Sequence, residues 1–267
     1  MSFSIDGKTA IVTGAANGVG LSIGRHFASK GANVMFADMD EDRLIKEVGR
    51  PEDDEARVRT FAGDLRERLT QANLLSATLD AFDRVDILVN ASRQMMPSEP
   101  LDIDDDSVGA LLDQNLMTSL RLSQVVAKRM IKQAEGQEIS QAGAIVNLSS
   151  IAARRTHPSL LGYSVSCAAL DQMTRSLAVA LAPHRIRVNA LAFGSVMSSS
   201  LKDTLKEHRE YRGDIEEHTP LGRIASPDEL VEAAQFLSSD SARFITGQIM
   251  TIDGGRTLLD PVAAPAH

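Results

Sequence analysis

Short apolar runs alternate with longer segments of helical periodicity along the whole chain. The apolar runs are, in order, KTAIVT, NVMFAD, RVRTFA, VDILVN, GAIVNLS, RIRVNALA and QIMTID. Longer helical patterns lie between several of them, at residues 19–29, 67–82, 105–132 and 160–181. Because parallel strands need crossover connections, this alternation predicts an α/β fold, with a parallel sheet of about seven strands covered by helices on both faces.

The composition is that of an ordinary globular protein. The chain has 267 residues, of which 43% are hydrophobic and 24% charged, so it is long enough to bury one substantial core. No segment of linker-like composition interrupts the alternation. We therefore expect a single domain over residues 1–267.

Charge and cysteine content narrow the range of partners. A net charge of −8 argues against nucleic-acid binding, which needs clustered lysine and arginine. No apolar run approaches the ~18 residues that cross a bilayer, so we expect no membrane insertion. The first residues lack the pattern of a signal peptide, and one cysteine cannot form an intramolecular disulfide. The expected location is the cytoplasm.

A glycine-rich loop follows the first apolar run. It reads TGAANGVG, residues 13–20, and opens directly into a helical pattern. Glycines permit a tight turn and a close approach of the backbone to a pyrophosphate, which then lies at the positive end of the helix. A strand, this loop and a helix in succession predict a dinucleotide-binding site.

Asp38 ends the second apolar run, 18 residues beyond Gly20. A carboxylate at this spacing can accept hydrogen bonds from the hydroxyls of the adenosine ribose. Its negative charge would repel a 2′-phosphate, and neither Asn17 nor Met39 offers a compensating cation, so NAD is favoured over NADP. The alternative is that Asp38 only caps the turn that follows it.

Several motifs together resemble the short-chain dehydrogenase/reductase family. They are the loop TGAANGVG, the pair Asp64-Leu65, the run LVNAS, Asn115, and Ser150 followed 13 positions later by Tyr163. The segments IRVNALAFGSVMS, PLGRIASPDEL and ITGQIMTIDGG extend the resemblance over nearly the whole chain. It implies a three-layer, doubly wound Rossmann fold, an NAD(P)-dependent oxidoreductase, and a homotetramer built partly on helices at residues 110–128 and 160–181.

The resemblance also implies a set of cofactor contacts. Asp64 and Leu65 would contact the adenine, Asn90 would line the nicotinamide side, and Val196 with Ser198 would address the carboxamide. The full expected set is Gly14, Asn17, Gly18, Val19, Gly20, Asp38, Asp64, Leu65, Asn90, Ala91, Tyr163, Gly194, Val196 and Ser198.

Hydride transfer to a carbonyl carbon needs a proton donor at the oxygen, and tyrosine can act as one. Tyr163 lies on the helix that follows the GAIVNLS run, and Ser150 lies just beyond that run, where its hydroxyl could share the developing charge. In the family, the residue matching Asn115 holds a water that relays protons. Purely structural roles are the alternative for all three residues.

Cys167 stands where the family has a lysine, four residues after the tyrosine and one helical turn on. The lysine would lower the tyrosine pKa and hold the nicotinamide ribose. An unassisted tyrosine is ionised only to about one part in a thousand at pH 7, so alcohol oxidation should suffer more than carbonyl reduction. A small residue packing within a helix is the main alternative account of Cys167.

Two further departures from the family pattern occur nearby. The run NASR, residues 90–93, replaces Asn-Asn-Ala-Gly, and FG, residues 193–194, replaces Pro-Gly. Both changes suggest a remodelled nicotinamide pocket. Arg154, Arg155 and His157 could supply a replacement cation, although loop residues of this kind more often face solvent.

The sequence therefore predicts an NAD(H)-dependent oxidoreductase that acts on a small carbonyl compound or secondary alcohol, with altered activity and no metal. Residues 195–219 would form a variable lid over the substrate. The catalytic candidates are Asn115, Ser150, Tyr163 and Cys167. One alternative is a catalytically silent NAD-binding protein that acts as a sensor or a partner subunit, and another is a structural role without cofactor.

Overall fold

The computed structural model describes residues 3–49 and 56–260, and the strands within them follow the predicted apolar runs. Apolar and β-branched residues are frequent in these runs, and such residues favour extended, buried backbone. The strands are β1 (Thr9–Thr13), β2 (Asn33–Asp38), β3 (Val58–Ala62), β4 (Ile87–Asn90), β5 (Gly143–Ser150), β6 (Ile186–Phe193) and β7 (Ile249–Ile252).

Within the described ranges these seven strands form one parallel sheet, in the order β3-β2-β1-β4-β5-β6-β7. The chain moves outward from β1 to β3, then returns past β1 to place β4 on its other side. This reversal between β1 and β4 creates a crevice at the carboxyl edge of the sheet, where open α/β sheets bind ligands. The predicted fold class, including the number of strands, is confirmed.

Helices connect the strands and cover the sheet on both faces. They are α1 (Gly18–Ser29), α2 (Glu41–Val48), α3 (Arg68–Phe82), α4 (Ser107–Leu111), α5 (Thr118–Ala134), α6 (Leu161–Leu181), α7 (Ser199–Glu207), α8 (Glu210–Glu217) and α9 (Asp228–Ser238). None of the helices in residues 3–49 and 56–260 has the length and apolar character needed to cross a membrane.

The core lies in two layers, one on each face of the sheet. Alternate residues of β1 serve different layers, because side chains of a strand point to opposite faces. Val12 packs with Phe27 of α1 and Leu237 of α9 in one layer. Ile11 packs in the other with residues of α3 and α5, including Leu122. The sheet is therefore packed on both faces.

The helix expected over residues 105–132 differs from the prediction in one detail. It begins at Ser107, and a π-helical turn over Leu112–Met117 separates α4 from α5. Periodicity does not reveal such a turn, because it displaces only one residue within an otherwise continuous helix. The turn carries Asn115, one of the predicted site residues.

Candidate active site

The glycine loop makes a tight turn at the end of β1. Gly14 has a φ of +61°, and a side chain there would place its Cβ 2.6 Å from the carbonyl oxygen of Ala91. A Cβ on Gly20 would lie 2.2 Å from the carbonyl oxygen of Gly14. Both positions therefore require glycine, because the ends of β1 and β4 and the start of α1 approach one another at backbone contact.

The N-terminus of α1 presents donors that the protein itself does not use. Asn17 precedes the helix in an extended conformation, and its side chain makes no capping hydrogen bond. The N–H groups of Gly18, Val19 and Gly20, in the first turn, have no intrahelical partner. Gly18 has a φ of +55°, and a Cβ at this position would have no neighbouring atom within 4 Å. This open, electropositive cradle fits the pyrophosphate of a dinucleotide.

Asp38 lies at the end of β2, beside this cradle. One carboxylate oxygen accepts a hydrogen bond from the N–H of Ala16 at 3.0 Å, and the other accepts one from the N–H of Asp40 at 3.2 Å. The carboxylate thus both braces the glycine loop and caps the turn after β2. Its remaining lone pairs can still accept hydrogen bonds from ribose hydroxyls, because each carboxylate oxygen accepts more than one.

Asp64 and Leu65 follow β3 at the same edge of the sheet. Leu65 is buried, and the carboxylate of Asp64 pairs with the guanidinium of Arg66 at 2.5 Å. The hydrogen bond from the Arg66 side chain holds the pKa of Asp64 below its usual value. Asp64 therefore stays ionised and fixed at the outer end of the crevice.

Ser150, Tyr163 and Cys167 converge at the carboxyl edge of β5. Ser150 is the last residue of that strand, and Tyr163 lies in the first turn of α6 with Cys167 one turn further along the same face. All three side chains are buried, with 8%, 5% and 3% of their surfaces exposed. Both the serine hydroxyl and the cysteine thiol are near enough to the tyrosine hydroxyl to influence its pKa.

The surroundings of Tyr163 raise its pKa above the usual value for a phenol. Burial is the largest cause, and the nearby Cys167 sulfur adds to it. The positive charge of Arg93 acts in the opposite direction, as does the Ser150 hydroxyl, because both favour the phenolate. The phenol is therefore neutral near pH 7, which suits a proton donor better than a proton acceptor.

Cys167 is a neutral thiol in an apolar setting. Burial raises its pKa, which keeps the sulfur protonated near neutral pH. A cavity of about 10 Å³ adjoins it, between Asn115, Tyr163 and Leu170. That is about the space of one water molecule, so a longer side chain at position 167 would need small shifts of its neighbours.

The side-chain amides of Asn115 and Asn90 form hydrogen bonds with other groups of the protein. The side chain of Asn115 donates to the carbonyl oxygen of Gln94 at 2.9 Å and accepts from the N–H of Gln94 at 2.8 Å. It also donates to the hydroxyl of Ser166, on α6, at 3.1 Å. Asn90 donates to the side chain of Asn147 at 2.8 Å. Both residues line the cavity beside Tyr163, and Asn115 fixes the loop that follows β4.

The segment after β6 leads from the site into the predicted lid. Gly194 follows the strand directly, and a Cβ there would lie 3.0 Å from the Cβ of Asp253. Val196 forms an isolated parallel bridge with Ala225. The hydroxyl of Ser198 accepts from the N–H of Leu201 and so begins α7. Residues 195–219, which follow the carboxyl end of β6, contain α7 and α8.

The three cations considered as replacements for the family lysine point elsewhere. The guanidinium of Arg154 donates to the hydroxyl of Thr251, and that of Arg155 donates to the carbonyl oxygen of Thr257. The ring of His157 accepts from the N–H of Ser159. The side chains of Arg154 and Arg155 thus reach toward the C-terminal part of the chain. None of the three cations is among the causes of the pKa shift of Tyr163.

Arg93 is the functional candidate that the sequence did not single out. It lies in the loop after β4, with its guanidinium carbon 5.9 Å from the ring centre of Tyr163. Sequence pattern marked the position only as a departure from glycine, since periodicity says nothing about where a loop side chain points. The available signal was the arginine itself, because the family pattern has glycine at this position.

Comparison with known proteins finds relatives of similar length and fold. A family model described as enoyl-(acyl carrier protein) reductase matches residues 14–257. D-threitol dehydrogenase of Mycolicibacterium smegmatis is 33% identical over 263 residues, which cover 96% of this chain and 95% of the relative.

Two solved structures are similar over almost their whole length. One is 7α-hydroxysteroid dehydrogenase with NADH and 7-oxo glycochenodeoxycholic acid, with a TM-score of 0.86, 30% identity, and coverage of 95% of this chain and 96% of that one. The other is a gluconate 5-dehydrogenase of Burkholderia cenocepacia with NADP and tartrate, with a TM-score of 0.86, 27% identity, and coverage of 97% and 98%. The chain belongs to the short-chain dehydrogenase/reductase family of oxidoreductases.

Proposed function

We propose that this protein interconverts a small carbonyl compound and its secondary alcohol with NAD(H), and that it favours reduction near neutral pH. The observation that carries the proposal is the convergence of the Ser150 and Tyr163 hydroxyls at the carboxyl edge of the sheet. The cradle at the start of α1 opens at the same edge. A bound nicotinamide would supply or accept the hydride.

The two hydroxyls have different roles in this proposal. Tyr163 donates its phenolic proton to the carbonyl oxygen of the substrate as negative charge develops there. Ser150 donates a hydrogen bond to the same oxygen and so shares that charge. Burial of both groups strengthens these interactions, because little water competes for the oxygen.

The preferred direction follows from the protonation state of Tyr163. Reduction needs the neutral phenol, and oxidation needs the phenolate to accept a proton. Because burial raises the pKa of Tyr163, the phenolate is scarce near pH 7 and becomes more abundant as the pH rises. Oxidation should therefore accelerate with rising pH, whereas reduction should slow.

A panel of ketones and aldehydes with NADH tests the proposed activity. We expect oxidation of NADH with at least one carbonyl substrate, and slower formation of NADH from the matching alcohol at pH 7. NADH fluorescence measures binding separately from turnover. Binding without turnover on any substrate would instead support the silent, NAD-binding alternative.

The preference for NAD rests on Asp38. Its carboxylate stands beside the glycine loop, where a 2′-phosphate would meet a negative charge. Replacing Asp38 by Asn keeps an acceptor for the N–H of Ala16 and removes the charge. We expect the ratio of the Kd for NADPH to the Kd for NADH to fall on the order of fivefold. An unchanged ratio in a folded variant would show that Asp38 does not select the cofactor.

We also propose a cytoplasmic homotetramer. A single buried thiol, and the absence of any second cysteine to pair with it, fit a reducing compartment. Exposed apolar side chains on α6, including Val165 and Val179, fit a helix that packs against another subunit. Sedimentation equilibrium should give four times the mass of the chain, and a monomer would contradict the assembly.

A further inference from the structure

The backbone of Arg93 is fixed on both sides by polar side chains. Before it, the hydroxyl oxygen of Thr13 accepts hydrogen bonds from the N–H groups of Ala91 and Ser92, both at 3.0 Å. After it, the amide of Asn115 holds the backbone of Gln94 through two hydrogen bonds. The loop therefore delivers the Arg93 side chain from a defined position.

The guanidinium of Arg93 is held as well. One nitrogen donates to the carbonyl oxygen of Ser149 at 3.1 Å. The guanidinium carbon lies 4.2 Å from the ring centre of Phe193 and 5.9 Å from that of Tyr163. Contacts of a guanidinium with aromatic faces are attractive, because the ring face carries partial negative charge.

Arg93 has no carboxylate to neutralise it. None of the ion pairs found within residues 3–49 and 56–260 includes this side chain. Its charge therefore remains available to act on the groups beside it. The side chain is exposed, so solvent screening weakens that charge.

The charged and titratable groups around the phenol are few. Arg93 acts on Tyr163 from the loop after β4, and Cys167 acts on it from α6. Asp171 faces Cys167 from one helical turn further along, and two arginines act in turn on Asp171, namely Arg154 and Arg175. Among these cations, Arg93 is the one that acts on Tyr163, and its guanidinium carbon lies 5.9 Å from the ring centre.

Three departures from the family pattern thus meet at one place. Arginine stands in place of glycine at position 93, phenylalanine in place of proline at 193, and cysteine in place of lysine at 167. The Phe193 ring supports the guanidinium, and the short Cys167 side chain leaves the phenol without a cation on its own helix. The three changes are therefore consistent with one another: the cation is absent from position 167 and present at position 93, where Phe193 packs against it.

We propose that Arg93 is a positioning residue that replaces the family lysine as the positive charge facing Tyr163, supplied from the loop after β4 instead of from α6. The inference rests on the proposed function, since a charge near the phenol matters when the phenol exchanges a proton. A cation there stabilises the phenolate during alcohol oxidation and strengthens the phenol as an acid during carbonyl reduction.

Four variants test whether the cation has moved. Arg93→Met keeps an unbranched, apolar stem and removes the charge, whereas Arg93→Lys keeps the charge. Arg155→Met removes a positive charge that lies near the same edge but does not act on Tyr163. The double variant with Arg93→Met and Cys167→Lys returns the cation to the family position.

Ionisation of Tyr163 can be observed without turnover. The chain has two tyrosines, so Tyr211→Phe leaves Tyr163 as the one remaining phenol. Biosynthetic incorporation of 3,5-difluorotyrosine, whose phenol is more acidic, brings the titration into the range where the protein stays folded. Fluorine NMR then follows this single residue against pH in each variant, and circular dichroism verifies the fold.

We expect Arg93→Met to move the titration of residue 163 to higher pH, and Arg93→Lys and Arg155→Met to leave it close to the parent. The double variant should return it toward the parent. In an active enzyme, Arg93→Met should also lower kcat for alcohol oxidation at pH 7 about tenfold, with a smaller effect on reduction.

An unchanged titration in Arg93→Met, or a shift equal to that of Arg155→Met, would overturn the inference. A rise in KM confined to substrates that bear a carboxylate, with an unchanged titration, would make Arg93 a substrate anchor instead. If the titration shifts as expected but the protein turns over no substrate, the effect of Arg93 on Tyr163 stands and the proposed function is refuted.

Discussion

Replacing Tyr163 by Phe is expected to lower kcat by about 10²-fold or more in both directions. The phenol oxygen is the group placed to exchange a proton with the substrate, and the nearby Cys167 thiol is held neutral by burial. A water molecule that took the place of the hydroxyl would be less well positioned to exchange this proton. Steady-state kinetics with NADH and the best carbonyl substrate measures the effect.

The control for this experiment is cofactor binding. Phenylalanine keeps the ring that packs with Leu111 and Ala152, so the fold and the glycine loop should persist. The Kd for NADH should change by a few fold at most. Turnover that survives within a few fold of the parent would remove Tyr163 from the chemistry and with it the proposed mechanism.

Replacing Cys167 by Lys is expected to raise kcat for alcohol oxidation at pH 7 by about tenfold or more. An ammonium one helical turn beyond Tyr163 would favour the phenolate and add a second positive charge beside it. The rising part of the pH profile for oxidation should move toward neutral pH. Reduction should change less, because the neutral phenol already serves as the acid.

Cys167→Met is the matched control for that change. It adds comparable length next to the small cavity without adding charge, so it measures the cost of crowding. If Cys167→Lys binds NADH but gains no oxidation activity over Cys167→Met, the missing lysine does not limit the reaction. A gain in both variants would assign the effect to packing.

Much of the fold could be predicted because hydrophobic periodicity is a local signal. The seven apolar runs became the seven strands of the sheet, and the run SPDE, residues 226–229, has the sequence of a capping box and forms one before α9. The N–H of Ser226 donates to the carboxylate of Glu229 at 2.8 Å, and the Ser226 hydroxyl accepts from the N–H of Asp228. The helix itself begins at Asp228, two residues after the serine.

Part of the site could also be predicted, from spacing. Ser150 ends a strand and Tyr163 begins the next long helix, so the connection between them returns both hydroxyls to one edge of the sheet. The glycine loop was predicted for the same reason, since a strand, a turn and a helix in succession fix its geometry.

The direction of loop side chains could not be predicted. Arg154 and Arg155 lie near Ser150 in sequence, yet their guanidinium groups bond to residues about one hundred positions away. Arg93 reaches Tyr163 because the side chains of Thr13 and Asn115, from two other elements, hold its loop. Such long-range hydrogen bonds leave no periodic trace in a single sequence.

A crystal structure with NADH bound tests the central claim most directly. The account predicts that the hydroxyl oxygens of Ser150 and Tyr163 lie within hydrogen-bonding reach of one common point beside the reactive face of the nicotinamide. A nicotinamide bound away from this pair, or a phenol turned away from the ring, would contradict it.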